Sequence, residues 1–249
     1  MKIVTDLSVT SAPHRARHAW HPGRLFGAGQ QGAWFDPADL STLFQDSAGT
    51  IPATADGDPV GRVLDKSGNG RHLVQAINAA RPILRHSGGL TWLDFDGVDD
   101  RMTFAEMPNT GTATAILGLW RTSGSATASV LGTGGTGYVR NSNSTLIKND
   151  GGSNPQIDTP GPFDIVDQSA FAVRMENGFL EARRKTGGWF AASVAGSTRT
   201  DFQVLGAFRQ SDGALPLPMR FHGGILRAGL LEDSDISLGL QFLTTRMAS

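Results

Sequence analysis

The sequence predicts an all-β sandwich with a short C-terminal helix and an extended N-terminal arm. Three observations point there. Short apolar runs alternate with loops dense in Gly, Asp and Asn: GAWFDPADLSTLFQDSAGT (Gly32 to Thr50), ADGDPVGRVLDKSGNGRHL (Ala55 to Leu73) and LDFDGVDDRM (Leu93 to Met102), which is the punctuation of strands and tight turns. The segment AFAVRMENGFLEARRK (Ala170 to Lys185) centres on Asn177-Gly178, the strongest short-range hairpin signal. Gly (32) and Pro (12) together make about 18 per cent of the 249 residues, above the ordinary level of roughly 12 per cent but below the disordered range.

Residues 1–26 read as an extended docking arm and 27–249 as the sandwich. The arm carries Lys2, Arg15, Arg17 and Arg24, three histidines and a single acid, Asp6; Pro13 and Pro22 break any helix in it. Trp34-Phe35 starts the strands. Asp36 is placed to cap a helical turn over Ala38–Phe44, with Pro37 at its first position. Val60–Leu64, Pro82–Leu84, Leu90–Phe95 and Arg101–Phe104 follow as short strands. In DKSGNG (Asp65 to Gly70), Gly68 and Gly70 suit positive φ. Thr112–Arg121 is apolar almost throughout, which predicts a strand covered on both faces. Ser129–Gly132 and Tyr138–Arg140 flank a glycine cluster, and Asn141–Pro162 reads as a long surface loop with one short strand.

A two-residue turn in the hairpin pairs Glu176 with Phe179 and Arg174 with Glu181. It puts Phe171, Val173, Met175, Leu180 and Ala182 on the core face and Arg174 with Glu181 outside as an ion pair. Trp189–Val194, Phe202–Phe208 and Phe221–Leu231 complete the strands, the last with a bulge at Gly223-Gly224. Ser234 then caps a helix over Asp235–Met247, with Asp233 and Asp235 suited to its positive end and Arg246 to the other.

Composition limits the function classes. Net charge is −1, so no bulk attraction to nucleic acid is expected. The absence of cysteine excludes disulfides and thiolate metal sites. The first twelve residues, broken by Asp6, make a poor signal peptide, and no stretch approaches the ~20 apolar residues of a membrane span. No membrane insertion is expected.

The Phe-Asp-Gly-Val-Asp-Asp run (Phe95 to Asp100), preceded by Asp-Lys-Ser-Gly-Asn-Gly (Asp65 to Gly70), resembles the concanavalin A-like lectin/glucanase superfamily, in its laminin-G-like jelly-roll branch. FHGGILRAGLLEDSDISLGLQFL resembles that group's last strand and amphipathic helix. The segment from Gly32 to Gly70 is similar to jelly rolls of tailed bacteriophages and phage-like particles, where they occur as virion appendages. The motifs cover roughly 26–104 and 221–247. The resemblance implies a non-enzymatic virion surface protein, a spike, fibre or decoration of head or tail, that attaches to host-surface polysaccharide. Its arm would dock on other virion proteins, and a homo-oligomer, a trimer by analogy, is expected. A purely structural virion subunit and a polysaccharide depolymerase are the alternatives, because fold does not settle the choice.

Carbohydrate recognition would draw on Trp189, Tyr138, Asn149 and Asp150. Particle docking would draw on Arg15, Arg17, Trp20, Arg24 and Phe26. Asp96, Asp99 and Asp100 offer hard oxygen ligands of the kind calcium takes, set against their use as acceptors for turn amides. Catalysis is not expected. Retaining glycanases need two carboxyls ~5 to 5.5 Å apart, the chain's only Glu residues are Glu106, Glu176, Glu181 and Glu232, and Glu176 and Glu181 are expected on opposite faces of their hairpin. GTGGTG (Gly132 to Gly137) matches a dinucleotide-binding spelling but is followed by a strand-like run, so it reads as a hairpin loop. His14, His18 and His21 lack the further ligand a metal site requires.

Overall fold

In a computed structural model, residues 20–123, 128–133, 137–142, 145–150, 156–157, 170–176, 179–185, 187–193, 200–207 and 215–248 are described. Arg15, Arg17, His14, His18, the Asn177-Gly178 turn and residues 134–136 of the glycine cluster lie outside them. The strands in chain order are β1 (Gly32–Phe35), β2 (Leu43–Phe44), β3 (Arg62–Val63), β4 (Leu73–Val74), β5 (Ile83–Ser87), β6 (Leu90–Phe95), β7 (Met102–Thr103), β8 (Ala113–Arg121), β9 (Ala128–Thr133) and β10 (Gly137–Ser142). Then come β11 (Thr145–Asp150), β12 (Gln156–Ile157), β13 (Phe171–Glu176), β14 (Phe179–Arg184), β15 (Phe190–Ser193), β16 (Phe202–Leu205) and β17 (Met219–Ala228), before helix α1 (Asp233–Thr245).

They form two antiparallel sheets. The first runs β15-β14-β13-β8-β17-β6-β5, with β1 also on β17; the second runs β12-β11-β10-β9-β16-β7-β4-β3-β2. The predicted sandwich is what the chain adopts. Antiparallel pairing of β9 with β10 disposes of the dinucleotide spelling, which needs a βαβ unit.

Side-chain alternation along the first sheet builds two cores. Toward the second sheet point Ala113, Ala115, Leu117 and Leu119 of β8, Leu93 and Phe95 of β6, and Phe171, Val173 and Met175 of β13. Outward from β8 point Ile116 and Trp120, which α1 covers with Ile236, Leu240 and Leu243. This explains why β8 is buried at every position: a strand covered on both faces has no polar face to display. Close approach of α1 needs small residues beneath it. Gly223, at φ 152 in the β17 bulge, would place a Cβ 3.0 Å from Leu243 and from the Phe35 carbonyl.

The turn motifs are held by carboxylates. Asp65, nearly buried, accepts from the amides of Trp34 (2.9 Å), Ser67 (2.8 Å) and Arg71 (2.9 Å), and so pins the Asp65–Gly70 loop to β1. Gly68 and Gly70 have φ of 87 and 72, as expected. Asp46 closes its own loop by accepting from Thr50 and Ile51.

Four local expectations are corrected. Asp36 caps no helix: the only helical turn there is a 3-10 turn over Leu40–Thr42. Asp36 is instead buried at 2 % exposure and bonds the Arg246 guanidinium at 2.9 Å, with Lys66 at 3.6 Å. The region 141–162 contains the end of β10 and two further strands, β11 and β12, among its described residues. Helix α1 starts at Asp233 with Glu232 in the cap position and no side-chain cap. Finally, the expected arm boundary at residue 26 does not match the packing. Leu25 and Phe26 are buried in the outer core, and Trp20 packs against it. Phe26 is thus consumed within the domain as an apolar anchor, where burying a ring is worth most.

Candidate functional site

The β13–β14 hairpin and the start of α1 together frame the cleft that stands out on the outer face. Cα pairing runs Arg174↔Glu181 and Glu176↔Phe179. Even spacing along each strand keeps Arg174 with Glu176 and Phe179 with Glu181, so all four share the outer face. The expectation that Glu176 and Glu181 point to opposite faces is therefore wrong: the two-residue connection itself requires them to be diagonal neighbours. With Leu230, from the segment after β17, these residues line a cleft of about 320 Å³. Phe179 is 52 % exposed and Leu230 43 % exposed.

Charge in and around the cleft is arranged asymmetrically. Arg174 Nη2 meets Glu181 at 3.1 Å and Arg174 Nη1 meets Asp233 at 3.0 Å. The Trp189 ring lies 3.9 Å from the Arg174 guanidinium and 4.8 Å from that of Arg183, a cation–π arrangement, and Trp189 Nε1 donates to Asp233 (3.4 Å). Arg183 Nη2 donates to the Asp233 carbonyl and to Ser237 Oγ. Both guanidiniums are thus held at the first turn of α1, while Glu176 is exposed and Glu181 half-buried.

The four residues expected to bind carbohydrate fall on two sheets, with Trp189 next to β15 and Tyr138, Asn149 and Asp150 on β10 and β11. Trp189 sits on the outer face of the first sheet beside this cleft, under guanidiniums rather than as an open platform. Tyr138 pairs with Asn149, and Gly137 with Asp150, between β10 and β11 of the second sheet. The residue that sequence reasoning missed is Phe179. The signal was present: a Phe at an outward position, opposite Glu176, breaks the hairpin's apolar-in, polar-out alternation.

Of the docking residues, Arg24 is exposed. Trp20 packs edge-on to Phe242 with centroids 6.4 Å apart and donates to Asp235. It also lines a second cleft of about 300 Å³ with Leu238, Gln241, Phe242 and Thr245. His21 rests against Trp34.

The carboxylates of Asp96, Asp99 and Asp100 lie within 4.8 Å of one another. Their local use is to close the turn around Gly97: Asp96 Oδ1 accepts from the Val98 and Asp99 amides, and Asp100 Oδ2 from the Asp96 amide. Burial, with the neighbouring carboxylates adding to it, pushes the Asp100 carboxyl up to about 6 against that amide bond. Turn closure accounts for the cluster, and calcium is not required to explain it.

A third cluster lies on the outer face of β6, β8 and β17. His222 is fully buried and stacks on Trp120 with centroids 4.8 Å apart, with Trp92 at 5.7 Å. Its Nδ1 bonds the Arg246 carbonyl at 2.8 Å; a carbonyl only accepts, so Nδ1 carries the proton. Burial pushes this imidazole down to about 4, the nearby Arg220 adding to the effect and the Arg246 bond opposing it. This cluster clamps the end of α1 to the sheet.

No protein-family model matches the chain, and no curated protein sequence matches it. Solved structures do. A GH54 a-L-arabinofuranosidase soaked with a cyclic sulfate inhibitor is similar at a TM-score of 0.62 and 13% identity, over 92% of this chain and 65% of that one. Domain 4 of AbnA, a GH43 extracellular arabinanase from Geobacillus stearothermophilus, in complex with arabinotriose, gives 0.51 and 13%, over 85% and 98%. Trypanosoma rangeli sialidase in complex with sialic acid gives 0.53 and 14%, over 87% and 34%. At these identities the shared property is the β-sandwich fold. The chain spans about two thirds of the length of the arabinofuranosidase and one third of the sialidase.

Proposed function

We propose that this chain is a non-enzymatic glycan-binding sandwich, carried on the surface of a tailed-phage or phage-like particle and used for attachment to host-surface polysaccharide. The observation that carries the glycan reading is the outer-face cleft in which the half-exposed Phe179 ring stands beside Glu176 and Glu181. A sugar presents an apolar C–H face and a rim of hydroxyls. An open ring covers the first, and carboxylate acceptors take hydrogen bonds from the second. The arabinanase domain that shares this fold was solved with arabinotriose, which supports the reading. Glycoside hydrolysis needs one carboxyl as proton donor and another as base or nucleophile; Glu181 is committed to Arg174, which favours binding over cleavage.

The particle setting rests on the resemblance of Gly32–Gly70 to virion appendages. Docking is assigned to the basic segment ending at the exposed Arg24, and the trimer follows by analogy.

The test is binding of purified protein to intact host cells, before and after removal of the surface polysaccharide, with Phe179→Ala alongside. The expected result is binding that is lost with the polysaccharide and weakened about tenfold by the substitution, the worth of one aromatic contact. Binding indifferent to the polysaccharide overturns the glycan reading. No binding at all leaves the structural virion subunit.

A further inference from the structure

The groove between Trp20 and α1 has a chemistry of its own. Leu238, Gln241, Phe242 and Thr245 line it from the helix; these positions are i, i+3 and i+4 neighbours and so form one patch on its surface. Trp20 is the opposite wall. Its indole stands edge-on to Phe242 with centroids 6.4 Å apart, and Phe242 in turn meets Trp34 edge-on at 6.1 Å. Trp20 Nε1 donates to Asp235 (3.4 Å), so the ring is fixed at its polar edge as well. Leu238 is 38 % exposed, and Gln241 and Thr245 are exposed too.

The lining is apolar with a neutral polar rim. The Gln241 side-chain amide has no partner among the described residues, which leaves it both a donor and an acceptor to offer. Thr245 Oγ1 donates its one proton to the Phe242 carbonyl (2.6 Å) and keeps acceptor capacity. No charged side chain lines the groove. The Arg246 guanidinium lies 4.8 Å from the Phe242 ring but is bound to the buried Asp36. A volume of about 300 Å³ is on the scale of small-molecule sites. A stable protein partner needs about 800 Å² on each side, more than this patch of five side chains offers.

We infer that this groove is a second saccharide subsite, which takes a neutral sugar ring against Trp20 and Phe242 with its hydroxyls on Gln241 and Thr245. The step rests on the glycan reading for its ligand class, but on none of the residues of the hairpin cleft. Both sites lie along α1, the hairpin cleft at Asp233 and this groove around Leu238 and Thr245. A polysaccharide chain that engages both gains because its second contact is intramolecular.

The test is an NMR titration of the isotope-labelled full chain, separately with maltohexaose, cellohexaose and arabinohexaose, all neutral, following the Trp20 indole N–H and the Gln241 side-chain amide. At least one hexasaccharide is expected to shift both signals saturably. Its affinity should be the same at low and high salt, because no charge takes part. Gln241→Ala, at an exposed helical position that Ala suits, weakens that binding about three- to tenfold, the worth of one hydrogen bond. Trp20→Ala weakens it about tenfold, and Phe179→Ala leaves it unchanged. The inference falls if none of the three hexasaccharides moves these signals, or if Gln241→Ala and Trp20→Ala bind like the native chain. It falls equally if Leu238→Glu changes the sedimentation of the free protein, since a second copy then covers this face. Host-cell binding that is sensitive to Phe179→Ala but indifferent to Gln241→Ala leaves the glycan reading standing and removes this subsite.

Discussion

Two buried groups, His222 and Asp100, pull the stability of this fold in opposite directions on acidification. Burial lowers the His222 imidazole from 6.5 to about 4. Unfolded chains take up that proton as pH falls through 6.5 while the native state refuses it until about 4, so His222 removes stability on acidification. The amount is about 3 kcal/mol, from roughly 1.36 kcal/mol per pH unit. Burial raises the Asp100 carboxyl from 3.8 to about 6. There the native state takes up the proton first, so acidification from 6 to 3.8 returns about 3 kcal/mol by the same conversion. Between about pH 4 and 6 the two contributions oppose each other.

The perturbations are Asp100→Asn, which keeps an oxygen for the Asp96 amide, and His222→Phe, which keeps a ring between Trp92 and Trp120. The assay is urea unfolding at half-unit steps from pH 4 to 7, each variant read as its difference from the native chain so that other groups cancel. Relative to the native chain, Asp100→Asn should lose about 1.4 kcal/mol for each pH unit of acidification between 6 and 4, and His222→Phe should gain about as much. Asp39, Asp46 and Asp56, all lowered by hydrogen bonds, act below this window. Difference profiles that are flat in pH for both variants would refute the reasoning, because the two groups would then titrate alike folded and unfolded.

Three further outcomes follow from packing and pairing. Gly32→Ala places a Cβ 2.1 Å from the Leu226 carbonyl; backbone cannot move aside cheaply, so a loss of about 1–3 kcal/mol is expected in chemical denaturation, and an unchanged midpoint contradicts the β1–β17 register. Arg246→Leu removes the 2.9 Å partner of the buried Asp36 and leaves it Lys66 at 3.6 Å, at an expected cost of about 1–3 kcal/mol, part of it recovered by adding Asp36→Asn; no recovery in the double variant means that the ion pair is not the cause. Removal of residues 1–26 takes Leu25 and Phe26 from the outer core at about 1.5–3 kcal/mol each; an unchanged thermal midpoint would overturn their place in that core.

The sequence by itself determined the sandwich, because its evidence is local. Turn carboxylates such as Asp46 and Asp96 act on amides within a few residues, positive-φ glycines such as Gly68 and Gly70 are fixed by the turn they occupy, and the Ala170–Lys185 hairpin has its register set by the length of its connection. The same register, followed one pair further, already placed Glu176 and Glu181 on one face. Tertiary structure decided the rest. Asp36 looks like a helix cap until Arg246, 210 positions later, is brought beside it. Trp20 and Phe26 look like anchors for a partner until Phe26 is buried in the outer core and Trp20 packs against α1. Trp189 looks like an open sugar platform until Arg174 and Arg183 lie against its ring. A side chain's chemistry is spelled in the sequence, but whether that chemistry is available depends on what long-range packing sets against it. The open Phe179 beside the spoken-for Arg174 is that distinction within a single cleft.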